Sequence, residues 1–425
     1  MHDIFAELSW RGLIHQTTDD DNLQSWLNEK PRTLYAGFDP TAESLHVGSL
    51  LPLLMLRRFQ RAGHQVIALV GGATGMIGDP SGKSAERNLL DEEQLLANVA
   101  GLDRQMRRFL DFDGDNPAVM VNNFDWMKEF GYIEFLRDIG KHLPVNVMMA
   151  KDSVKSRLEG ESGISYTEFS YMLLQAYDFV HLHRTNGCEL QIGGSDQWGN
   201  ITAGIDLTRR MCGNQVYGIT NPLLTTSDGT KMGKTESGAV WISSERTSPW
   251  QLWQYLFNTD DKDVAMCLRF MSDLSEAEVT ALDQSAEHEA HLRKCQIALA
   301  DEVTRMVHGD EAVANVHQAR EILFGTEIRD MKDIQLKEIF ADVPSAEAAR
   351  SELNGEGFPL VDALVRCELA NSKGDARRTI KQGGAYVNNR RVEDADFRLT
   401  PESLASESMV VLRSGKKKYA LLRLT

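Results

Sequence analysis

"TLYAGF" (33–38), "DPTAESLHVGSLLPLLMLRRFQRAG" (39–63) and "HQVIALVGG" (64–72) follow one another without a break. The first is a short strand-like run. The second is apolar-periodic over 48–62, which predicts a helix that Gly63 stops. The third contains a continuous apolar run, 65–72, of the kind found in strands buried on both faces. Strand, helix, glycine stop and buried strand make a βαβ unit, whose right-handed crossover requires a parallel sheet. Further buried strands are expected at Ala118–Val121 and Glu189–Ile192, with helices between them. The fold class read from this is α/β, a doubly wound Rossmann-like parallel sheet. Ligands of such sheets lie beyond the carboxyl ends of the strands. Both "GFDPT" (37–41) and "GGATGMIGDPSGKS" (71–84) fall there.

With 425 residues the chain is too long for one ordinary core, so two or three domains are expected. Residues 1–240 read as the α/β domain and 241–325 as an α-helical domain. Residues 326–356, weakly periodic and rich in acidic, Ala and Gly positions, read as a linker. Residues 357–425 read as a small α+β domain, with two short helices and a strand pair around Asn388-Asn389. No apolar run approaches the roughly 20 residues that span a bilayer. The start, "MHDIFAELSW", carries acidic residues where a secretory signal would be positive, and predicts an amphipathic helix. Five scattered cysteines (Cys188, Cys212, Cys267, Cys295, Cys367) form no C-x-x-C pair, which suits a reducing cytoplasm and provides no zinc or disulfide framework. A cytoplasmic protein is expected, with no membrane partner and no protein-held metal.

The net charge of −16 hides an asymmetry. From Phe358 to Thr425 there are 13 Lys and Arg against 8 Asp and Glu, a balance of +5 that leaves −21 on the remainder. A basic tail on an acidic body suggests local contact with a polyanion, although charge alone also fits a solvated tail.

Four constellations carry chemistry. At the start of the predicted helix, unpaired N–H groups and the helix dipole make a ready anion site. His46 and Thr41 can donate there, and Gly48 lets another molecule come close to the backbone. Alone, His46 also reads as a capping histidine. "GGATGMIGDPSGKS" fails the P-loop spacing, with three residues rather than four between Gly78 and Gly82. That argues against a generic nucleotide hydrolase. What remains is a turn presenting Asp79, Lys83 and Arg87. In "TEFSYMLLQAYDF" (167–179), Tyr171, Gln175 and Asp178 stand at i, i+4 and i+7 on one helix face among apolar neighbours. Buried polar groups must be satisfied by protein or by ligand; a subunit contact would serve as well as a substrate. Finally, "TTSDGTKMGKTESG" (225–238) has the composition of a mobile loop and puts Lys231, Lys234 and Thr235 where they can close over a polyphosphate.

In this order, the four pieces resemble the bacterial tyrosyl-tRNA synthetases, class I aminoacyl-tRNA synthetases. "His46-Val-Gly-Ser49" is similar to the HIGH signature and "Lys231-Met-Gly-Lys-Thr235" to KMSKS. "GFDPTAESLHVG", "GGATGMIGDPSGK", "TEFSYMLLQAYDF" and "QIGGSDQWGNITAG" are similar to the family's long blocks. The resemblance covers nearly the whole chain, including a carboxy-terminal RNA-binding domain similar to that of ribosomal protein S-four. It implies a ligase that activates L-tyrosine with ATP and transfers it to tRNA(Tyr), as a homodimer, without DNA as a partner. ATP is then a substrate that brings Mg²⁺ with it.

The resemblance further implies that Tyr35 and Asp178 hold the phenol hydroxyl, and that Tyr171, Gln175 and Asp79 face the ammonium group. Gly37, Asp39, Gly194, Asp196 and Gln197 would line the adenylate pocket with Gly48 and Ser49. Thr41, His46, Lys231, Lys234 and Thr235 would stabilise the departing pyrophosphate, with Lys83 and Arg87 nearby. Arg377, Arg378, Lys381, Arg390, Arg391, Lys416, Lys417 and Lys418 would contact RNA phosphates. Ser49 stands where the signature ends in His or Asn, and Ala36 where Cys is frequent. Both departures fall on ribose-contact positions. Tyr35 and Asp178 favour a phenol over the indole of the tryptophan enzymes, and intact His46, Lys231, Lys234 and Asp79 favour an active enzyme over a catalytically silent RNA-binding relative.

Overall fold

The computed structural model describes residues 2–81, 91–159, 163–235, 238–323, 325–340, 343–415 and 418–425. Packing divides the chain into two compact units, residues 1–247 with 254–307, and residues 248–253 with 308–425.

The first unit is built on a six-stranded sheet. Its strands are β1 (Gln16–Thr17), β2 (Thr33–Phe38), β3 (Gln65–Val70), β4 (Val119–Asn122), β5 (Leu190–Gly194) and β6 (Tyr217–Asn221). Their order is β1-β6-β5-β2-β3-β4, parallel except for β1. The chain leaves β2 toward β3 and β4 on one side, and later returns to add β5 and β6 on the other. The switch point therefore lies between β2 and β5, where a crevice opens. Helix α1 (Leu50–Arg61) makes the first crossover, ended by Gly63 with φ +93. It starts later than its periodicity suggests, because Val47–Ser49 forms a 3-10 turn ahead of it. The strand predicted to reach Gly72 stops at Val70, and α2 (Gly72–Ile77) follows in place of a loose turn. Helix α3 (Tyr166–Asn186) runs 21 residues, capped by the Ser165 hydroxyl on Glu168 N–H and closed by left-handed Gly187. Its apolar side joins Tyr35, Ile67, Phe179 and Val180 in one buried cluster. Ile4–Arg11 is helical, as the amphipathic start predicts.

Helices fill 249–323, again as the periodicity predicts. The segment nevertheless does not pack as one body. Val264–Met271, Glu276–Glu289 and most of Lys294–His308 belong to the first unit, and Asp310–Leu323 to the second. The stretch 326–356 is not a bare linker either. Asp333–Ile339 is a helix and Ser345–Ala348 a strand, β9, after the two-residue strands β7 (Lys234–Thr235) and β8 (Gly238–Ala239). The physical cause is apolar burial: Ile322, Ile328, Leu336 and Phe340 pack with Val411, Tyr419 and Leu421.

In the second unit β10 (Phe358–Pro359) pairs with β13 (Arg398–Leu399). The strands β11 (Ala385–Val387), β12 (Arg390–Val392), β14 (Met409–Ser414) and β15 (Lys418–Leu424) complete a five-stranded sheet in the order β12-β11-β14-β15-β9. Asn388 and Asn389, with φ of 49° and 63°, make the tight turn between β11 and β12. Helices Leu360–Arg366 and Lys373–Lys381 stand where the sequence places them.

Candidate active site

A cavity of about 320 Å³ opens at the switch point of the first unit. Every described site residue that the sequence places in this unit lines it, apart from Ala36 and the two loop positions treated below.

At one end the strands and α3 build a closed polar slot. Tyr35, on β2, is 1% exposed, and its hydroxyl has no hydrogen-bond partner. Its ring meets Phe179 edge-on at 5.3 Å. Asp178, on α3, is also 1% exposed. Its two oxygens accept from Asn123 Nδ2 and Trp126 Nε1, each at 3.0 Å. Burial pushes its carboxyl up to about 8, against the pull of those two donors. Burial, aided by Asp178 and Cys188, likewise raises the Tyr35 hydroxyl. One turn and two turns back along α3 stand Gln175, whose Oε1 is buried without a partner, and Tyr171.

A network ties this slot to the strand ends. Tyr171 Oη donates to Asp39 Oδ2 at 2.9 Å and Thr74 Oγ1 to Asp39 Oδ1 at 2.8 Å. Asn123 Nδ2 also donates to Thr74 Oγ1 at 3.0 Å, so Asn123 and the Thr74 hydroxyl together link Asp178 to Asp39. Asp39 can lie so close to the sheet because residue 71 is glycine: a Cβ there would stand 2.2 Å from Asp39 Oδ1. Asp79, reached by way of α2, accepts from Gln197 Nε2 at 2.7 Å and from Ser81 N–H at 2.9 Å. Gly194 ends β5, and the turn Ser195–Gln197 follows it directly.

At the other end lie the turn before α1 and the lysine loop. His46 sits at the N-cap position of the Val47–Ser49 turn, where its side chain makes no capping bond. Its ring meets Trp241 edge-on at 6.3 Å. A Cβ on Gly48 would stand 2.9 Å from the His46 ring, so only glycine leaves that ring its place. Gly37, Thr41 and Ser49 complete this part of the wall. Lys231 is 44% exposed and reaches Asp196 at 3.8 Å across the cavity mouth. Lys83 and Arg87 lie outside the described residues, as do the side chains of Lys234 and Thr235.

Asn123 and Trp126 are absent from the sequence-based set. The signal that could have found them is positional: "NNFDW" (122–126) follows directly on the carboxyl end of a predicted strand. In the second unit Arg377, Arg378, Lys381, Arg390, Arg391 and Lys418 are all exposed, whereas Lys416 and Lys417 lie outside the described residues. Arg378 pairs with Asp375, Arg390 with Glu327 and Arg391 with Glu393.

Known proteins similar to this chain give its family. Residues 27–325 match the family model of class I tRNA synthetases (W and Y), and residues 335–422 match the C-terminal domain of tyrosine–tRNA ligases of the SYY type. The tyrosine–tRNA ligase of Rhodopirellula baltica is 59% identical over 421 residues, spanning 99% of this chain and 96% of its own. That of Roseiflexus castenholzii is 52% identical, with both chains covered fully. The chain belongs to the tyrosine–tRNA ligase family. A solved tyrosine–tRNA ligase structure, the C-terminally truncated mitochondrial tyrosyl-tRNA synthetase of Aspergillus nidulans, is 31% identical with a TM-score of 0.69, over 76% of this chain and 94% of that one. The Archaeoglobus fulgidus tyrosyl-tRNA synthetase, solved with L-tyrosine, shares the fold at 15% identity and a TM-score of 0.56, over 74% and 99% of the two chains. Tyrosine–tRNA ligases are ATP-dependent class I aminoacyl-tRNA synthetases, and this chain is one of that class.

Proposed function

We propose that the cavity takes L-tyrosine at its closed end and ATP at its open end, and that the chain joins them before loading tRNA(Tyr). As in its family, the reaction is the ATP-dependent ligation of tyrosine to tRNA. The observation that carries the residue assignment is the pair of buried, unpartnered oxygens, Tyr35 Oη and Gln175 Oε1, beside the doubly held Asp178 carboxyl. Buried polar atoms without partners are costly, so a ligand hydroxyl and ammonium supply what the protein withholds. Tyr35 and Asp178 then hold the phenol; Tyr171, Gln175, Asp79 and Gln197 face the amino group. Asp39, Gly37, Gly194, Asp196, Gly48 and Ser49 line the adenylate.

No nucleophilic side chain is required. The tyrosine carboxylate attacks the α-phosphate, forming one P–O bond while the bond to pyrophosphate breaks. The terminal ribose hydroxyl of tRNA then attacks the adenylate carbonyl, and AMP leaves. Catalysis is positioning plus stabilisation of the charge that gathers on the departing phosphates. Thr41, His46, Lys231, Lys234 and Thr235 supply the donors, with Lys83 and Arg87. Among the described residues no group of three or more His, Cys, Asp and Glu side chains converges as a metal site. Mg²⁺ would arrive on the ATP phosphates, as part of the substrate.

Self-association is supported by exposed large apolar residues in the first unit, among them Tyr132 (64%), Ile133 (72%) and Tyr166 (62%). They suit a homodimer contact at the start of α3. The exposed cations of the second unit suit RNA phosphates. Among the described residues no helix is long and apolar enough to cross a membrane; a cytoplasmic enzyme is the location we propose, in keeping with a tRNA substrate.

ATP–pyrophosphate exchange with single amino acids, followed by charging of tRNA(Tyr), tests the reading. Exchange with tyrosine alone, and charging that falls when Arg377 and Lys381 become alanine while exchange does not, is the expected result. Exchange driven equally by tryptophan or phenylalanine overturns it.

A further inference from the structure

The lysine loop is held along its backbone at several points. Met232 N–H donates to Leu224 O at 2.8 Å, and Lys231 bridges to Thr225. Farther on, Val47 N–H donates to Val240 O at 2.9 Å and Ile242 N–H to Leu45 O at 3.0 Å, so 240–242 run as a ladder beside His46. Between these ties Gly233 adopts φ +84, a left-handed conformation that glycine takes without strain. It packs so tightly that a Cβ would stand 3.0 Å from the Gly48 nitrogen. The Gly233 N–H is directed at a side chain, the hydroxyl of Tyr255, at 2.7 Å. Tyr255 comes from the helix Pro249–Phe257 and belongs to the first unit. Close by, the sulfur atoms of Cys267 and Met232 meet at 3.6 Å.

We propose that Tyr255 is a positioning residue for tyrosine activation: its hydroxyl latches the Lys231–Thr235 segment against the Val47–Ser49 turn. The inference rests on the assignment of the loop lysines to the departing pyrophosphate. Those ammonium groups stabilise charge only from a fixed position, and a misplacement of about 1 Å can cost around 10²-fold in rate. Left-handed Gly233 adds no side chain to hold the segment. The Tyr255 oxygen supplies a fixed acceptor on a helix, and Tyr255 is not part of the cavity wall. Losing it leaves a backbone N–H to seek water and lets the segment spend less time seated. One net hydrogen bond corresponds to roughly 2–10-fold in that population.

Tyr255→Phe keeps the ring and its packing while deleting the acceptor. Single-turnover adenylate formation should slow about five- to ten-fold, with tyrosine affinity and the thermal midpoint unchanged. The decisive comparison adds the same change to a chain in which Lys231 and Lys234 are both alanine. If Tyr255 acts through the loop, it then has less than about a two-fold effect. An equal loss in both backgrounds, an unchanged rate in the single variant, or weakened tyrosine binding overturns the proposal. Full activity of the double-lysine variant removes the loop assignment itself, and the latch with it.

Discussion

At the closed end of the cavity, where we propose that the phenol binds, the polar groups stand on a central strand and a 21-residue helix, and Tyr35 and Asp178 are 1% exposed. At the open end, proposed for the phosphates, they stand on turns and a loop, and Lys231 is 44% exposed. The contrast follows from the two tasks. Telling tyrosine from phenylalanine depends on one oxygen, which only desolvated and pre-built partners can read. A triphosphate has to enter and pyrophosphate has to leave, so the groups that grip them ride on backbone that can be released and reseated. On the proposed assignment, rigidity provides the selection and a held loop provides the chemistry.

Three experiments press on this contrast, from the largest expected effect to the smallest. His46→Ala should slow adenylate formation by roughly 10²–10³, the scale of one preorganised donor, with tyrosine affinity intact. Single-turnover rates equal to wild type would end the distinction between the two ends. Asp178→Ala should weaken tyrosine binding by roughly 10–10², since Asn123 and Trp126 lose their acceptor along with the ligand. Equilibrium dialysis that finds tyrosine affinity unchanged would refute the slot.

The third uses pH. The folded chain holds the Asp178 proton up to about 8, whereas an unfolded aspartate loses it near 4. Between these values the native state binds more protons, so this residue makes stability fall as pH rises, by at most about 1.4 kcal/mol per pH unit. Urea midpoints should therefore decline less steeply with pH in Asp178→Asn than in wild type. Parallel curves would show that the carboxyl is ionised already and that its burial is better compensated than the geometry indicates.

The central strands β2 and β3 and the crossover between them were legible because apolar periodicity and a glycine stop leave no second reading for residues 33–72, whereas β1 and β6 were not read from the sequence. The face of α3 was legible for the same reason: i, i+4 and i+7 spacing brings Tyr171, Gln175 and Asp178 into line whatever surrounds them. Other features lacked such a signal. Asn123 and Trp126 come from a short stretch with no period, and their role exists only because α3 passes over the end of β4. The Tyr171–Asp39 bond joins residues 132 apart. β9 reads "SAEA", without a β-branched or aromatic residue, and becomes a strand because the edge of β15 is there to pair with. The helix at 72–77 was obscured by glycines: Gly71 just ahead of it and Gly72 within it serve as bare surface against Asp39 and Asn122 rather than as flexible links.

One detail of the second unit bears on how the molecule comes into being. β15, which ends at Leu424, lies inside its sheet between β14 and β9, not at the border. Nascent chain therefore cannot complete that sheet until synthesis has passed Leu424, whereas every strand of the six-stranded sheet has been made by Asn221. A stop ahead of Lys418, which spares the whole cavity of the first unit, would remove an inner rung, and expose Val410, Leu412 and Phe340 to chaperones and proteases.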